Sequence, residues 1–234
     1  MRKLGAAELA KTLLATGAAL GAVTLSACGG ESEDATPPRH IECLSNDLAG
    51  RSLQRTMEVP GENFTVTASY STDYNVNQWK ITDSKTLDIK LEVTPTNSET
   101  LPTVLVENLH ADAAIYAPGK QGINGLKQDT FDDHLHAGDQ PGFLVSPEHP
   151  YTEEFVIEGY SETLLNAWGS MYSGYGAFSA EEKRLTEKEL LEQGAKGEKF
   201  NLVVDLLMKN ATETYFHKEV VDDEFVVPLP GFKC

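Results

Sequence analysis

Apolar and polar residues alternate one by one along several stretches of this chain. Residues 64–70, 87–93 and 200–208 each place an apolar side chain at every second position, and residues 151–158 carry Tyr151, Phe155 and Ile157 on one side. Because successive side chains of a strand point to opposite faces, a period of two is typical of a strand with one buried face. Shorter segments of the same character predict further strands at 103–109, 111–117, 142–146, 214–221 and 224–228.

About eight short strands separated by turn signals predict a mainly β fold, namely an antiparallel β-sandwich. An immunoglobulin-like arrangement is favoured, and a closed barrel is the alternative that the pattern does not separate from it. One segment breaks the alternation. Thr186 and Glu189 have the spacing of a capping box, and Gly194 stands where a helix would end, which predicts one short inserted helix at 187–193.

The first residues have a different character from the rest of the chain. Arg2, Lys3 and Lys11 give a basic start, residues 12–25 carry no charge, and small residues follow. This order is typical of a secretory signal. The apolar run is too short and too rich in Ala and Gly for a membrane span, which needs about 20 apolar residues.

The sequence Leu25-Ser26-Ala27-Cys28 closes this apolar run. It resembles the lipobox of bacterial lipoproteins in every position, and the rest of the chain has the general look of bacterial surface lipoproteins. The resemblance implies cleavage before Cys28, a diacylglyceryl group on its sulfur, and attachment to the cell membrane on the extracytoplasmic side. An uncleaved anchor or an ordinary secreted protein are the alternatives. Several acyl chains hold a protein stably at a membrane, whereas a single acyl chain binds the bilayer only marginally.

The chain divides into three parts on these grounds. Residues 1–27 are the predicted signal peptide, and residues 28–42 form a flexible acidic tether whose Gly- and Pro-containing sequence GGESEDATPPRH cannot bury a core. Such a tether spans ~20 Å on average. Residues 43–234 remain, a suitable length for one β-sandwich domain.

Charge and cysteine content narrow the possible partners. Removal of residues 1–27 takes away three bases and one acid, so the net charge goes from −17 to −19. Such a chain is repelled by phosphate backbones, which argues against nucleic acid and suits basic protein partners.

Cys43 and Cys234 would lie in a compartment where disulfides persist, so we predict a bridge between them. Two free thiols or an intermolecular bond through Cys234 are the alternatives.

An Asp- and His-rich segment, residues 128–142, supplies candidate metal ligands. If the segment is extended, alternate histidines point the same way and can chelate together, whereas in a helix they cannot. Asp129 as a cap and Phe131 with Leu135 as an i,i+4 pair favour a helical turn or a solvated loop, so a metal site is the less favoured reading. The candidate ligands are Asp132, Asp133, His134 and His136, joined across the fold by His110.

A second candidate site is the Gly- and aromatic-rich segment 166–178. Trp168, Tyr172 and Tyr175 stand among glycines there, and such rings can stack on sugars or anchor a partner protein. The favoured reading is that the segment forms a long loop whose rings fold back onto the sandwich.

Catalytic patterns find little support in this sequence. The stretch Gly159-Tyr160-Ser161-Glu162-Thr163 lacks the second glycine of a nucleophile elbow and is not expected to open a strong helix. We therefore expect no enzyme and no cofactor. The favoured function is a lipid-anchored module that binds or scaffolds a protein partner at the outer face of the cytoplasmic membrane. A metal-ion or glycan binder is the first alternative, and a hydrolase that uses the Asp/His segment is the second.

The lipid anchor makes a direct prediction about the mature protein. Intact-mass analysis of protein from its native host is expected to show that residues 1–27 are absent and that Cys28 carries acyl chains, because the thiol is the modified group. Retention of residues 1–27, or a Cys28 without fatty chains, would contradict the anchor.

Overall fold

Nine β-strands make up about half of the described residues. The computed structural model describes residues 43–97, 101–135, 141–173 and 186–234. Its strands, all paired antiparallel, are β1 (Ser52–Glu58), β2 (Phe64–Ser71), β3 (Lys85–Pro95), β4 (Thr103–Tyr116), β5 (Lys127–His134), β6 (Phe143–Val145), β7 (Tyr151–Ile157), β8 (Gly197–Lys209) and β9 (His217–Pro228).

The strands form two sheets that pack face to face. The first sheet has the order β1-β2-β3-β7, and the second has the order β5-β4-β8-β9 with the short β6 also paired to β4. This is the antiparallel sandwich that the alternation predicts. The immunoglobulin-like order is not confirmed. In an immunoglobulin sandwich the second and third strands lie in opposite sheets, whereas β2 and β3 are neighbours in the same sheet here.

The core lies between the two inner faces, and the alternation accounts for it. In β2 every second residue from Phe64 to Tyr70 is buried, and in β8 the same holds from Phe200 to Met208. Trp79, from the loop after β2, is fully buried beside them. Full burial of such an aliphatic or aromatic side chain stabilises the fold by ~1.5–3 kcal/mol relative to exposure.

Two pairs of predicted strands are each one strand. Segments 103–109 and 111–116 belong to the single strand β4, and 217–221 and 224–228 belong to β9, while residues 214–216 precede β9. In β4 the register shifts between Val106 and Asn108 and again between Ala113 and Ala114. Because a bulge adds an extra residue, it changes which positions face the core. The two apolar runs of β4 are therefore out of phase with one another.

Two helices lie between β7 and β8. Helix α2 (Glu187–Glu192) confirms the predicted inserted helix, and its capping box is formed, with the Thr186 Oγ1 accepting from the Glu189 N–H at 3.2 Å. Helix α1 (Glu162–Ser173) was not predicted, and the expectation that no strong helix opens there was wrong. The Ser161 hydroxyl accepts from the Leu164 N–H at 3.2 Å and so caps its first turn.

The two ends of the domain are joined. Cys43 and Cys234 lie at disulfide distance, as predicted, with Cα atoms 4.8 Å apart. Beside them Leu44 and Lys233 form a parallel bridge, and the Leu44 N–H donates to the Phe232 carbonyl at 2.6 Å. The first and last described residues are therefore held together by backbone hydrogen bonds as well as by the disulfide.

The strand directions define two ends of the sandwich. We call one the chain-end pole, which contains Cys43, Cys234, the loop 72–84 and helix α2. The other is the hairpin pole, which contains the β1–β2 turn at residues 59–63 and the β8–β9 turn at residues 210–216. Because β8 runs from one pole to the other, its first and last residues belong to different environments.

Residues 1–42, including Cys28 and the predicted tether, lie outside the described residues. Among the segments that the structure does describe, no helix is long and apolar enough to cross a membrane.

The disulfide gives a prediction about stability. Replacing Cys43 and Cys234 together by Ser is expected to lower the free energy of unfolding by ~2–4 kcal/mol, because the bridge restricts an unfolded chain between residues 191 positions apart. Urea unfolding without reductant measures it, and wild-type protein with reductant should match the double variant. An unchanged unfolding midpoint would contradict the bridge.

Candidate functional site

Residues 128–134 of the Asp- and His-rich segment lie in strand β5, so the helical turn predicted there is wrong. β5 pairs with β4 from Asn108 opposite His134 to Ala113 opposite Asp129. Phe131 points inward and packs against the Phe155 ring with centroids 6.3 Å apart. Strand pairing and this partly buried ring outweigh the local capping signal at Asp129, since helical cues in a short segment are weak beside tertiary contacts.

His110 is the centre of the polar contacts on the outer face of this hairpin. Its Nδ1 lies 2.6 Å from Asp132 Oδ1, and its Nε2 lies 3.5 Å from Asp112 Oδ2. Asp112 in turn accepts from the Asn201 amide at 2.8 Å and lies 3.4 Å from the Lys127 ammonium. Both ring nitrogens of His110 therefore lie beside carboxylates, Asp132 of β5 and Asp112 of its own strand β4, and Asn201 extends these contacts to β8.

Asp133 faces the opposite side of β5 from Asp132. Its carboxylate accepts from the Tyr151 hydroxyl of β7 at 2.8 Å and so connects the two sheets. Burial, together with this hydrogen bond, raises the pKa of Tyr151, which keeps its hydroxyl protonated and able to donate.

The structure therefore brings together only part of the nominated metal set. Asp132 and His110 are in contact, His134 is the next outward residue of β5, Asp133 points inward, and His136 lies outside the described residues. Among described residues, no group of three or more His, Cys, Asp or Glu side chains is arranged to hold a metal ion.

The aromatic segment is partly helical rather than a loop. Trp168 lies on α1, is only 8% exposed and belongs to the hydrophobic core, so its ring offers no open face to a sugar. This placement agrees with the reading in which the rings fold back onto the sandwich. The Tyr172 side chain and Tyr175 lie outside the described residues.

A buried ion pair that the sequence analysis missed lies between the sheets near the chain-end pole. The Lys85 ammonium is 3.2 Å from Glu198 Oε2, and both side chains are 0% exposed. Lys85 also donates to the carbonyls of Lys80 at 2.9 Å and Asp83 at 3.0 Å, and the Trp79 indole N–H donates to Glu198 at 2.7 Å. The pair thus joins β3, β8 and the loop before β3.

Burial is the largest effect on the Glu198 carboxyl of this pair. It raises the pKa of the Glu198 carboxyl, against the smaller opposing effects of the Lys85 charge and of the hydrogen bond from Trp79. Nearby, the Gln128 amide donates to the carbonyls of Ile81 at 2.8 Å and Glu158 at 2.9 Å, so neighbouring polar groups tie the same loop to β5 and to the end of β7.

The sequence carries a signal for these buried polar residues. Lys85 stands two residues before Leu87 and Glu198 two before Phe200, each in phase with an inward apolar series. Asp223 is likewise in phase with Phe225 on β9, and it accepts from the Tyr70 hydroxyl of the other sheet at 2.9 Å. A charged residue at an inward position of an alternating strand therefore marks a cross-sheet contact in this protein.

Four exposed large apolar side chains lie at the hairpin pole, while Tyr160 and Leu191 are exposed at the chain-end pole. The β8–β9 turn carries Tyr215, 82% exposed, and Phe216, 38% exposed, with the Lys209 ammonium 5.7 Å from the Phe216 ring centroid. β6, which pairs with the start of β4 at the same pole, exposes Phe143 and Leu144. Exposed aromatic residues on a turn are typical of contact sites for other proteins.

A histidine connects the two turns of this pole. His217 Nε2 lies 3.1 Å from Glu62 Oε1 in the β1–β2 turn, and His217 Nδ1 lies 3.6 Å from Glu213 Oε2 in the β8–β9 turn. The same Glu213 oxygen accepts from the Asn210 N–H at 2.7 Å. The turn that carries Tyr215 is therefore held both by its own backbone and by the first residue of β9.

No protein-family model and no curated protein matches the chain. Among solved structures, it is similar to a protein from Archaeoglobus fulgidus, at 12% identity over 69% of this chain and 94% of that one, with a TM-score of 0.28. It is also similar to the putative ApaA protein from Bordetella pertussis, at 11% identity over 74% of this chain and 99% of that one, with a TM-score of 0.33. At these TM-scores the likeness carries no argument about fold or function.

The buried pair gives a pH-dependent prediction. Lys85→Met is expected to lower the free energy of unfolding by ~3–5 kcal/mol at about pH 8, because Glu198 is left buried without its cation. The pKa of the Glu198 carboxyl is higher in the folded state than in the unfolded state, so this group lowers stability as pH rises through its folded pKa. The loss of stability caused by Lys85→Met should therefore shrink towards about pH 5.

Urea unfolding at the two pH values measures this difference. Lys80→Met is the matched control, because Lys80 lies in the same loop but is exposed and 3.9 Å from Asp83; it should cost at most about 1 kcal/mol at either pH. An equal loss at both pH values for Lys85→Met would contradict the buried pair.

Proposed function

We propose that this chain is a lipid-anchored extracytoplasmic module that binds a protein partner through its hairpin pole. The observation that carries the proposal is the exposure of Tyr215 and Phe216 on the β8–β9 turn, with Phe143 and Leu144 exposed on β6 at the same pole. An 82% exposed tyrosine on a turn held by Glu213 and His217 is a preorganised aromatic anchor, which is the kind of residue that dominates protein interfaces.

The position of the chain ends supports the use of this pole. The domain is entered at Cys43, and Cys234 lies beside it, so both ends are at the chain-end pole. A lipid on Cys28 followed by the tether 28–42 would attach to the membrane through that pole. The tether extends to at most ~50 Å when stretched. The hairpin pole, at the other end of the strands, is then the part that points towards a partner.

Charge supports a partner with a basic surface. The chain has a net charge of −17, and −19 once residues 1–27 are removed. Long-range attraction between opposite charges speeds association and suppresses wrong partners more than it adds affinity. An acidic domain with a small aromatic anchor therefore suits a basic protein with an apolar pocket, and the module acts by holding that protein at the cell surface.

Photo-crosslinking in the native host tests the proposal. A photoreactive phenylalanine analogue at position 215 is expected to give one discrete adduct with a protein that mass spectrometry identifies. With that protein purified, Tyr215→Ser in the full-length lipoprotein should weaken binding at least about tenfold, because truncating an interface anchor costs ~2 kcal/mol or more.

Tyr160 provides the matched control. It is 49% exposed and follows β7 at the chain-end pole, so a crosslinker there has similar access to solvent but a different location. The adduct should be missing at position 160, and Tyr160→Ser should leave binding unchanged. Adducts of equal yield at both positions, or binding that Tyr215→Ser does not alter, would refute a partner at the hairpin pole.

A further inference from the structure

The contact between the two turns of the hairpin pole depends on one imidazole. His217 has a carboxylate on each ring nitrogen, Glu62 at 3.1 Å from Nε2 and Glu213 at 3.6 Å from Nδ1. Glu62 belongs to the turn after β1 and Glu213 to the turn before β9, 151 positions apart in the chain. No strand pairing joins these two turns, because β1 and β9 belong to different sheets.

The number of hydrogen bonds that His217 can donate changes with its proton. A neutral imidazole has one N–H donor, and an ionised carboxylate can only accept, so a neutral His217 can donate to Glu62 or to Glu213 but not to both. The imidazolium has two N–H donors and a charge, and it can satisfy both carboxylates at once. Imidazoles change charge between about pH 8 and 5, which makes this change accessible at a cell surface.

We propose that protonation of His217 tightens the contact between the β8–β9 turn and the β1–β2 turn. It thereby regulates how firmly the β8–β9 turn holds Tyr215 and Phe216, which together we call the binding tip. This regulation rests on the proposed function, since it acts on the same binding tip. Contact between the two turns is linked to proton uptake by His217, so this contact is favoured as pH falls and is lost as pH rises. We call the contact the His217 clamp. Partner binding at the tip is accordingly stronger at the acidic end of this range, because a held anchor loses less freedom on binding.

Charged side chains of β8, β9 and the two turns lie around His217. Glu213 stays ionised, because the hydrogen bond from the Asn210 N–H, aided by His217 and Lys209, lowers the pKa of its carboxyl. Lys209 at the end of β8 is the nearby cation, and its ammonium lies over the Phe216 ring. Glu219 is the next inward residue of β9 and adds a further negative charge. Two carboxylates thus contact His217, and Glu219 on the same face of β9 carries a further negative charge.

Amide hydrogen exchange on the full-length protein in detergent tests the clamp without any partner. After correction for intrinsic exchange rates, protection of residues 59–63 and 210–216 is expected to rise about two- to fivefold between about pH 7.5 and about 5.5, the range expected of one partly exposed ion pair. In Glu62→Gln, and in His217→Gln, protection of both turns should become independent of pH.

His134→Gln is the matched control, because His134 is an exposed histidine on β5 that makes no contact with either turn in the described structure. It should keep the wild-type pH response. The proposal is overturned if amide protection of the two turns does not change with pH in the wild type, or if the wild-type pH response is retained in His217→Gln. Since no partner is present, this result is independent of the crosslinking at position 215, so either proposal can fail while the other stands.

Discussion

The buried contact between Lys85 and Glu198 is the constraint on which the rest of the sandwich depends. Apolar side chains bring the two sheets together, but they tolerate sliding, whereas a charge without its partner in the interior costs several kcal/mol. Lys85 on β3 meets Glu198 on β8 in one arrangement, and the carbonyls of the preceding loop complete its shell. Two further contacts, Tyr70 with Asp223 and Tyr151 with Asp133, join other strand pairs. We infer that the polar contacts set the register and the apolar core supplies most of the stabilisation.

Much of this architecture could be predicted from residue patterning, and the failures have physical causes. A period of two located β2, β3, β7 and β8, and the capping box located α2, because both signals are local. The sequence predicts a helical turn at β5 because its capping and i,i+4 signals are also local. The structure there is decided by pairing with β4, which is a long-range contact. The phase change within β4 comes from bulges, which leave no clear mark in the sequence. The Cys43–Cys234 pairing was predictable because only two cysteines remain after Cys28.

The candidate site residues were predicted less well than the strands, for a related reason. Residue types suggested metal ligands in the Asp/His segment, but side-chain chemistry alone does not tell which face of a strand each residue occupies. Asp132 turns outward to His110, and Asp133 turns inward to Tyr151. In the aromatic segment Trp168 packs into the core, as the favoured reading predicts, although it lies on a helix rather than on a loop. The hairpin pole was missed because Tyr215 and Phe216 precede a strand and show no pattern of their own. Their exposure, together with the position of Cys43 and Cys234 at the other pole, supports the proposed binding module.

Nitrogen-15 NMR of lysine side chains tests the central claim, the buried charged pair, most directly. The account predicts that the Lys85 ammonium gives a slowly exchanging signal with a measurable coupling to the Glu198 carboxylate, because both groups are removed from solvent. Exposed Lys80 should give the rapidly exchanging signal of a solvated ammonium. If the Lys85 protons exchange as fast as those of Lys80, or no coupling to Glu198 is seen, the pair does not hold the two sheets together.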